Sequence, residues 1–524
     1  MSSLTILLAL FLAPLLTFLL YRRIFSPKRS PLPQIPYLEF PPQEDNSFSR
    51  YLHDTRSLMR RGYNEYTKKG LPFAMFNHVD FNSPLVILPL KYLEEVRSAS
   101  TGRLSFPLSL ERSTIINDIG GPRMTEEAIR VVRLDVTRCL AGKVGIGGER
   151  MERGLVGIMG GKCAEAYKRY MPECKDWTPV NAYQFMLKVF SQVTARTLVG
   201  PELCDSKEWL DIILGFTNAA FKASHGVREK YHPLLRWTAK YLDKDVKDVY
   251  RIRKRAGELL GTILEKRKQE EKEGIIYEDG IQWLISAYKA AGKELSADQL
   301  AQDEFIITIA SIHSSSATAL SCLYDLMDRR EIMEEIKEEI GKVRKEFGVE
   351  GSEGWTRQSL AGLKLMDSFM KESQRIHPLQ QLTMQRMVVR EEGFLFKDGL
   401  RLPRYTQISM PNEMIGLDEE LHGEDAKEFD AKRWLRKREE TGEGSRYHFA
   451  SISDDMLAFG SGMHACPGRF LAQEVIKLMF VELLEEFEVR YPEGVEKRPG
   501  DILKHHNIMP NVGVELLFRE QKKS

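Results

Sequence analysis

Cysteine is scarce in this chain, and its few cysteines lie far apart. The 524 residues include 6 cysteines, and no two of them form a C-x-x-C pair. This spacing argues against a structural zinc site, whose ligands come in close pairs, and against a disulfide framework. Each cysteine is therefore interpreted as a separate thiol.

The chain also lacks an excess of charge, an internal repeat and a low-complexity tract. Its 76 basic and 75 acidic residues leave a net charge of +1, which gives no indication of nucleic-acid binding. The glycine cluster at 145–148 lacks the G-x-G-x-x-G spacing of a dinucleotide site and a preceding strand. No length remains for a flavin domain, so electrons for any redox chemistry must come from another protein.

The most informative segment is 459–468, which reads FGSGMHACPG and places one thiol, Cys466, after an aromatic residue and two glycines. Pro467 suits the first position of the helix that follows, where unpaired N–H groups favour the thiolate form of cysteine. Gly462 and Gly468 allow the backbone to turn tightly and to lie close to a flat cofactor. The alternative is a buried, unreactive cysteine.

This segment resembles the haem-binding signature of the cytochrome P-450 family, F-x-x-G-x-[RH]-x-C-x-G, at every fixed position. The resemblance implies haem b, with Cys466 as the axial iron ligand, Phe459 near the sulfur, and His464 bonded to a haem propionate. It implies oxygen activation, because a thiolate ligand pushes electron density onto the iron. It also implies the family's fold, which is mainly α-helical with small β-sheets, as a single large haem domain.

Two further segments extend the resemblance over most of the chain. The segment 371–378, KESQRIHP, matches the family's K-E-x-x-R-x-x-P, in which Glu372 and Arg375 share one helix face and can pair. The segment 429–434, FDAKRW, looks like the family's P-x-R-F, with alanine and tryptophan in place of the proline and the phenylalanine. The resemblance implies that Arg433 joins the pair as a third charge, in a structural role that holds the cysteine loop.

A capping box at 296–299 opens an apolar helix that we expect to run to about Asp328. By resemblance, this is the family's long helix over the haem. Its centre at 310–316 reads ASIHSSS, which is polar for a buried helix, because serine competes for backbone hydrogen bonds. Ala310 and Ser314 share one face, so we predict a small residue against the cofactor with a hydroxyl beside it.

The same segment departs from the family's A-G-x-[DE]-T-[TS], since His313 replaces the acid and Ser314 the threonine. Both groups can relay protons, which makes them candidate catalytic residues. The alternative is a core histidine, with protons supplied by water or by a substrate hydroxyl. The variant looks like that of fungal enzymes of secondary metabolism, including ent-kaurene oxidase-like and other terpenoid-tailoring members. The family's W-x-x-x-R is missing, so Arg133 and Arg130 are the nearest candidates for a propionate partner.

The apolar run at 4–20 carries no charge and is followed by basic residues. Its length is at the short end for a spanning helix, and the positive-inside rule leaves the rest of the chain in the cytoplasm. We predict a single-pass anchor over 1–25, a proline-rich hinge over 26–40 and a haem-thiolate catalytic domain over 41–524. A signal peptide is the rival interpretation, but its basic n-region and cleavage site are not clear here. Family resemblance implies the endoplasmic reticulum membrane.

These features predict a monooxygenase that inserts one oxygen atom from O2 into a lipophilic small molecule. The family's NADPH-cytochrome reductase is the implied partner, so NADPH acts only through it. A haem-thiolate isomerase or dehydratase that needs no reductase remains an alternative, and so does a non-catalytic haem ligand-binding protein. Basic residues near the cysteine could supply part of a reductase-docking face: Lys432, Arg433, Arg436, Lys437, Arg438, Arg469 and Lys477.

Overall fold

The structure is a computed structural model that describes residues 32, 34–41, 43–77, 83–140, 154–275 and 277–522. The chain divides into two compact units. The first contains the described residues of 32–113 and Met384–Pro411, and the second contains the described residues of Thr114–Thr383 and 412–522. Each unit is therefore assembled from two separate stretches of chain.

The membrane anchor predicted over 1–25 and the glycine cluster at 145–148 lie outside the described residues. Part of the hinge predicted over 26–40 is described, and Tyr37–Leu38 forms a strand that pairs with Ala74 and its neighbour. Because Leu38 is buried there, folded structure begins within the predicted hinge and not at residue 41.

The strands are short. In chain order they are β1 (Tyr37–Leu38), β2 (Phe73–Met75), β3 (Leu85–Ile87), β4 (Leu104–Ser105), β5 (Thr178–Asn181), β6 (Thr383–Val388), β7 (Phe394–Leu395), β8 (Arg401–Leu402), β9 (Gln407–Met410), β10 (Phe487–Arg490), β11 (Ile502–Lys504), β12 (Asn507–Met509) and β13 (Glu515–Glu520).

Helices make up most of the described chain. In chain order they are α1 (Phe48–His53), α2 (Thr55–Glu65), α3 (Leu93–Ser98), α4 (Phe106–Thr114), α5 (Ile116–Ile119), α6 (Glu126–Arg130), α7 (Thr137–Leu140), α8 (Gly154–Tyr170), α9 (Ala182–Leu198), α10 (Gly200–Leu203), α11 (Lys207–Lys230), α12 (Ala239–Leu242), α13 (Lys244–Lys272), α14 (Gly280–Ala290), α15 (Ala297–Met327), α16 (Arg330–Phe347), α17 (Arg357–Gly362), α18 (Lys364–Ile376), α19 (Asn412–Gly416), α20 (Glu419–His422), α21 (Arg433–Thr441) and α22 (Arg469–Glu486).

The first unit is built on a six-stranded sheet with the order β1-β2-β3-β9-β6-β4. β1 runs parallel to β2, β2 antiparallel to β3, and β3 parallel to β9. β2 and β3 are buried along their whole length, which agrees with their apolar sequences FAM and LVI. β7 and β8 form a separate antiparallel hairpin, and Gly399 takes a positive φ of 90° in the turn between them.

The second unit is helical and holds α15 in its core. α15 contacts α9, α13, α18 and α22, which explains why most of its side chains are buried. Ser296 caps its start by accepting a hydrogen bond from the backbone N–H of Gln299 at 3.2 Å. The other half of the predicted capping box is not formed, because the Gln299 amide donates to Asp303 instead.

Within the described part of the chain, α15 is the one helix whose length and composition would suit a membrane span. The most apolar window of α15 is 61% buried inside the protein, however, as expected for a core helix. The described residues therefore form a mainly α-helical fold with small β-sheets, which confirms the fold class predicted from the sequence.

Candidate active site

The segment that carries Cys466 forms a closed loop in the second unit. The backbone N–H of Cys466 donates to the carbonyl of Phe459 at 2.7 Å and so ties the two ends of the loop together. Inside the loop, Gly460 and Gly462 have φ values of 68° and 69°. Such left-handed backbone favours glycine, because a Cβ atom is strained there. The loop holds the Cys466 sulfur just ahead of α22.

The sulfur of Cys466 lies beside backbone hydrogen-bond donors. Cys466 is half-buried, whereas the other five cysteines are buried. Burial raises the pKa of the Cys466 thiol overall, and hydrogen bonds from the backbone N–H groups of Gly468 and Arg469 offset part of this rise. Amide donors of this kind stabilise a thiolate and adjust the properties of a metal bound to it. These surroundings fit a thiolate ligand of haem better than an inert core cysteine.

The helix after Cys466 begins later than the sequence predicts. α22 starts at Arg469 with Gly468 as its N-cap residue, so Pro467 stands in the preceding turn and not at the first helical position. The donors to the sulfur therefore belong to a turn and to the first helical residue. Gly468 has a φ of −87°, which any residue adopts, so a tight turn is not the reason for glycine there.

Three other residues predicted to bind the cofactor lie on or beside this loop. Phe459 is half-buried and packs edge-on against Phe449, with ring centroids 5.4 Å apart. His464 is half-buried in a 3-10 turn of the loop. Arg133, from a π-helical segment between α6 and α7, donates to the carbonyl of Met463 at 2.6 Å. Arg133 thus reaches the loop, which favours it over Arg130 as the cationic neighbour of the cofactor.

The polar centre of α15 presents one exposed face. Ala310 and Ser314 are exposed, although α15 is mostly buried. The Ser314 hydroxyl donates to the carbonyl of Ala310 at 2.8 Å, and the Thr318 hydroxyl donates to the carbonyl of Ser314 at 2.9 Å. Such side-chain bonds compete with the backbone ladder and can bend a helix. The small residue and the hydroxyl therefore share one face, as the spacing predicts.

His313 contacts α9 through a residue that the sequence analysis missed. Its Nδ1 lies 3.3 Å from the hydroxyl oxygen of Tyr183, and its Nε2 is buried with no hydrogen-bond partner among the described residues. Burial lowers the pKa of His313 and raises the pKa of Tyr183, so both side chains are favoured in their neutral forms. No signal in the sequence links the two residues.

Glu372, Arg375 and Arg433 meet in a buried charge cluster. Glu372 accepts hydrogen bonds from Arg375 Nε at 2.9 Å, Arg375 Nη2 at 2.6 Å and Arg433 Nε at 3.1 Å. Trp434 Nε1 donates to the same carboxylate at 3.0 Å, a bond that the family's usual phenylalanine could not make. The side chains of Glu372 and Arg375 have no exposed surface, so each depends on the other for its compensating charge.

A second buried charge cluster lies one to two turns earlier on α18. Asp367 forms ion pairs with Lys477, whose Nζ lies 2.8 Å from Oδ1, and with Arg438. Burial alone would raise the pKa of Asp367, but Lys477, His448 and Arg438 hold it well below its usual range. Lys371 donates to the backbone carbonyl of His448 at 3.0 Å, and burial lowers its pKa to about 8. The cluster ties α18 to α21, α22 and the chain before Cys466.

The reductase-docking face suggested by the basic run is wrong for several of its residues. Arg433, Arg438 and Lys477 are buried in the ion pairs described above and cannot face a partner protein. Arg436 pairs with Asp430, and Lys432 pairs with Glu335 on α16. A run of basic residues shows the sign of the charge but not whether the side chains are exposed. Most of these basic side chains form ion pairs within the protein.

Arg386, in the first unit, is a buried cation that the sequence analysis also missed. Its Nη1 donates to the carbonyl of Gln385 at 2.8 Å, but its Nη2 has no partner among the described residues. Burial lowers the pKa of Arg386 to about 10. A buried guanidinium with a free donor is suited to binding an anion or an ordered water.

This chain is similar to known proteins both in sequence and in fold. The sequence pattern of the cytochrome P-450 family matches residues 162–518. The chain is 36% identical over 507 residues to the cytochrome P-450 monooxygenase cheE of Chaetomium globosum, covering 96% of this chain and 94% of that protein. It is 37% identical over 492 residues to the cytochrome P-450 monooxygenase ccsG of Aspergillus clavatus, covering 94% and 93%.

A third fungal relative has a more specific name. The pyrichalasin C-7 hydroxylase of Pyricularia grisea is 32% identical over 484 residues, covering 92% of this chain and 91% of the relative. Among solved structures, retinoic acid-bound cyanobacterial CYP120A1 matches with a TM-score of 0.66, covering 93% of this chain and 99% of that chain. Its identity is 14%, so this likeness shows the shared fold alone.

Proposed function

The chain belongs to the cytochrome P-450 family and is a cytochrome P-450 monooxygenase, and from that premise we propose that it hydroxylates a lipophilic metabolite in fungal secondary metabolism. One observation carries the proposal, namely the Cys466 sulfur with its backbone donors from Gly468 and Arg469. A thiolate held in this way is the ligand that haem iron needs for oxygen chemistry.

The residues around the loop suit haem b as the cofactor. Cys466 would bind the iron, Phe459 would lie beside the sulfur, and His464 and Arg133 would hold the propionates. When bound, the haem activates O2 and supplies the oxygen atom that enters the substrate. Ala310 would leave room above the cofactor, since its short side chain is exposed on the one polar face of α15.

Proton delivery is assigned to the polar centre of α15. The Ser314 hydroxyl is exposed and can hold a water while it keeps its bond to the carbonyl of Ala310. Ser314 would accept from that water, and His313 would supply the hydrogen-bond donor at its buried Nε2. Oriented donors of this kind act as general acids, and one such group typically contributes about 10²–10⁴-fold in rate.

In this proposal, the source of electrons and the cellular location are those typical of the family. An NADPH-cytochrome reductase would supply the electrons, and NADPH would act only through it. The uncharged apolar run at 4–20 supports a single-pass anchor in the endoplasmic reticulum membrane, with the catalytic domain in the cytoplasm.

The substrate class is tested by turnover with two kinds of compound. The membrane-bound enzyme, a reductase and NADPH would be supplied with heavy-oxygen-labelled O2 and either pyrichalasin lacking its C-7 hydroxyl or an ent-kaurene-type terpenoid. We expect the pyrichalasin-type compound to gain one labelled oxygen atom, and only when NADPH and reductase are present. Turnover of the terpenoid alone would favour the substrate class suggested by the ASIHSSS segment.

Two other outcomes of this assay contradict the proposal. Product without NADPH, reductase or label would identify a haem-thiolate isomerase or dehydratase. A spectral shift on binding without product from any compound would identify a ligand-binding protein.

Removing the Ser314 hydroxyl should lower the amount of product formed per NADPH consumed. We expect Ser314→Ala to bind haem and substrate normally, but to form product from NADPH at least about tenfold less efficiently, with more peroxide released. The measurement is product and peroxide per NADPH consumed. Ser191→Ala is the matched control and should leave this efficiency unchanged, because that hydroxyl makes the same type of bond within α9, to the carbonyl of Leu187 at 2.6 Å. Equal efficiency in Ser314→Ala and wild type would assign proton supply to water or to a substrate hydroxyl.

A further inference from the structure

Tyr183 and His313 form an isolated pair between α9 and α15, in which Tyr183 is buried and His313 is half-buried. Their polar atoms lie 3.3 Å apart, and neither side chain has another hydrogen-bond partner among the described residues. Tyr183 is 8% exposed, so its hydroxyl depends on the protein for a partner. The hydrogen-bond donors and acceptors of the pair can therefore be counted without reference to other residues.

Two neutral arrangements are possible, because a neutral imidazole has one donor nitrogen and one acceptor nitrogen. If His313 donates from Nδ1, the hydroxyl hydrogen of Tyr183 and the bare Nε2 are both left unsatisfied. If Tyr183 donates to Nδ1, only the Nε2–H of His313 is left. Each unsatisfied buried polar group is costly, so the second arrangement is the more stable one.

The remaining donor, Nε2–H, also needs an acceptor. It is buried, and the described residues offer it none. A buried donor in this position is normally satisfied by an ordered water. His313 lies within the polar segment 310–316 of α15, so a water held by Nε2–H would lie beside that segment.

We propose that Tyr183 is a positioning residue that holds His313 as its Nε2–H tautomer, so that His313 donates a hydrogen bond to an ordered water at the polar centre of α15. This inference rests on the proposed function, because it assigns His313 a part in supplying protons there. Among the described residues, the Tyr183 hydroxyl bonds His313 alone, so Tyr183 would act through His313. It acts by removing the alternative tautomer, in which Nε2 would be an acceptor and could not donate to that water.

The tautomer can be measured without turnover. The protein would be produced with nitrogen-labelled histidine rings and studied by NMR in its diamagnetic ferrous carbonyl form. A His313→Gln variant would identify the signals of His313 by their loss. In the wild type we expect a protonated Nε2 and an unprotonated Nδ1. A protonated Nδ1 in the wild type would overturn the proposal, whatever the behaviour of any variant.

Tyr183→Phe provides the second test. We expect the His313 ring signals to move toward the Nδ1–H tautomer, and product per NADPH to fall about two- to tenfold, the range of one neutral hydrogen bond. Tyr167→Phe is the matched control, since it removes a buried phenol that donates to the carbonyl of Met479 at 2.8 Å. That variant should leave the His313 signals unchanged.

A double variant distinguishes positioning from a general loss of packing. If Tyr183 acts through His313, Tyr183→Phe added to His313→Gln should lower product per NADPH no further than His313→Gln alone. Additive losses, or unchanged ring signals in Tyr183→Phe, would overturn the proposal. Failure of the proposed function would appear elsewhere, as an absent haem-thiolate band or as product formed without NADPH.

Discussion

Cys466→Ser is expected to abolish both the haem-thiolate spectrum and the hydroxylation. A serine hydroxyl does not ionise near neutral pH, so it cannot supply the anionic sulfur that pushes electron density onto the iron. The ferrous carbonyl form should lose the long-wavelength band that gives the family its name. Product formation should fall by more than about a hundredfold, beyond the usual effect of changing a residue that only supports a metal ligand.

Cys174→Ser is the control for this experiment. Cys174 is buried, and its sulfur donates to the carbonyl of Pro172 at 3.2 Å, a bond that a serine hydroxyl can also make. This variant should keep the carbonyl band and the activity. A full band in Cys466→Ser would show that Cys466 is not the axial ligand.

Glu372→Gln should be the most destabilising single substitution among the charge clusters. The carboxylate compensates Arg375 and Arg433 and also accepts from Trp434 Nε1 and the backbone N–H of Asp430. A neutral amide of the same size leaves the buried Arg375 guanidinium without its anion, whereas Arg433 keeps its second partner, Asp425. We expect a loss of about 3–5 kcal/mol in the free energy of unfolding, measured from urea titrations of the haem-loaded protein.

An exposed ion pair provides the comparison. Arg436 pairs with Asp430 at the surface, and its side chain is 52% exposed. Arg436→Gln removes this pair and should cost no more than about 1 kcal/mol, because water and salt screen exposed charges. Similar unfolding midpoints for Arg436→Gln and Glu372→Gln would contradict a structural role for the buried cluster.

The features that the sequence predicted well are set by neighbours along the chain. Glu372 and Arg375 are three residues apart on one helix, so their contact follows from helix geometry once α18 is recognised. The shared face of Ala310 and Ser314 follows in the same way. The start of α22 was placed too early, because a proline fits both the first helical position and the turn before it.

Contacts between distant segments could not be predicted. Tyr183 and His313 are 130 residues apart, and their pairing depends on how α9 packs on α15. Lys477 and Arg438 lie in basic or amphipathic segments whose charges suggested a surface, yet both are buried against Asp367. One sequence shows the sign of a charge, while tertiary packing decides whether water can reach it.

The sheet β10-β13-β5 has a consequence for synthesis on the ribosome. β5 leads directly into α9, and the Asn181 amide donates to the carbonyl of Val512, 331 residues later, at 3.0 Å. At about 5–20 residues per second, translating that stretch takes roughly 17 to 66 s. For that time the nascent chain has no partner for β5, whose open edge can pair with other strands. The start of α9, and with it Tyr183, is therefore fixed late in synthesis. Chaperones can bind the chain before that point.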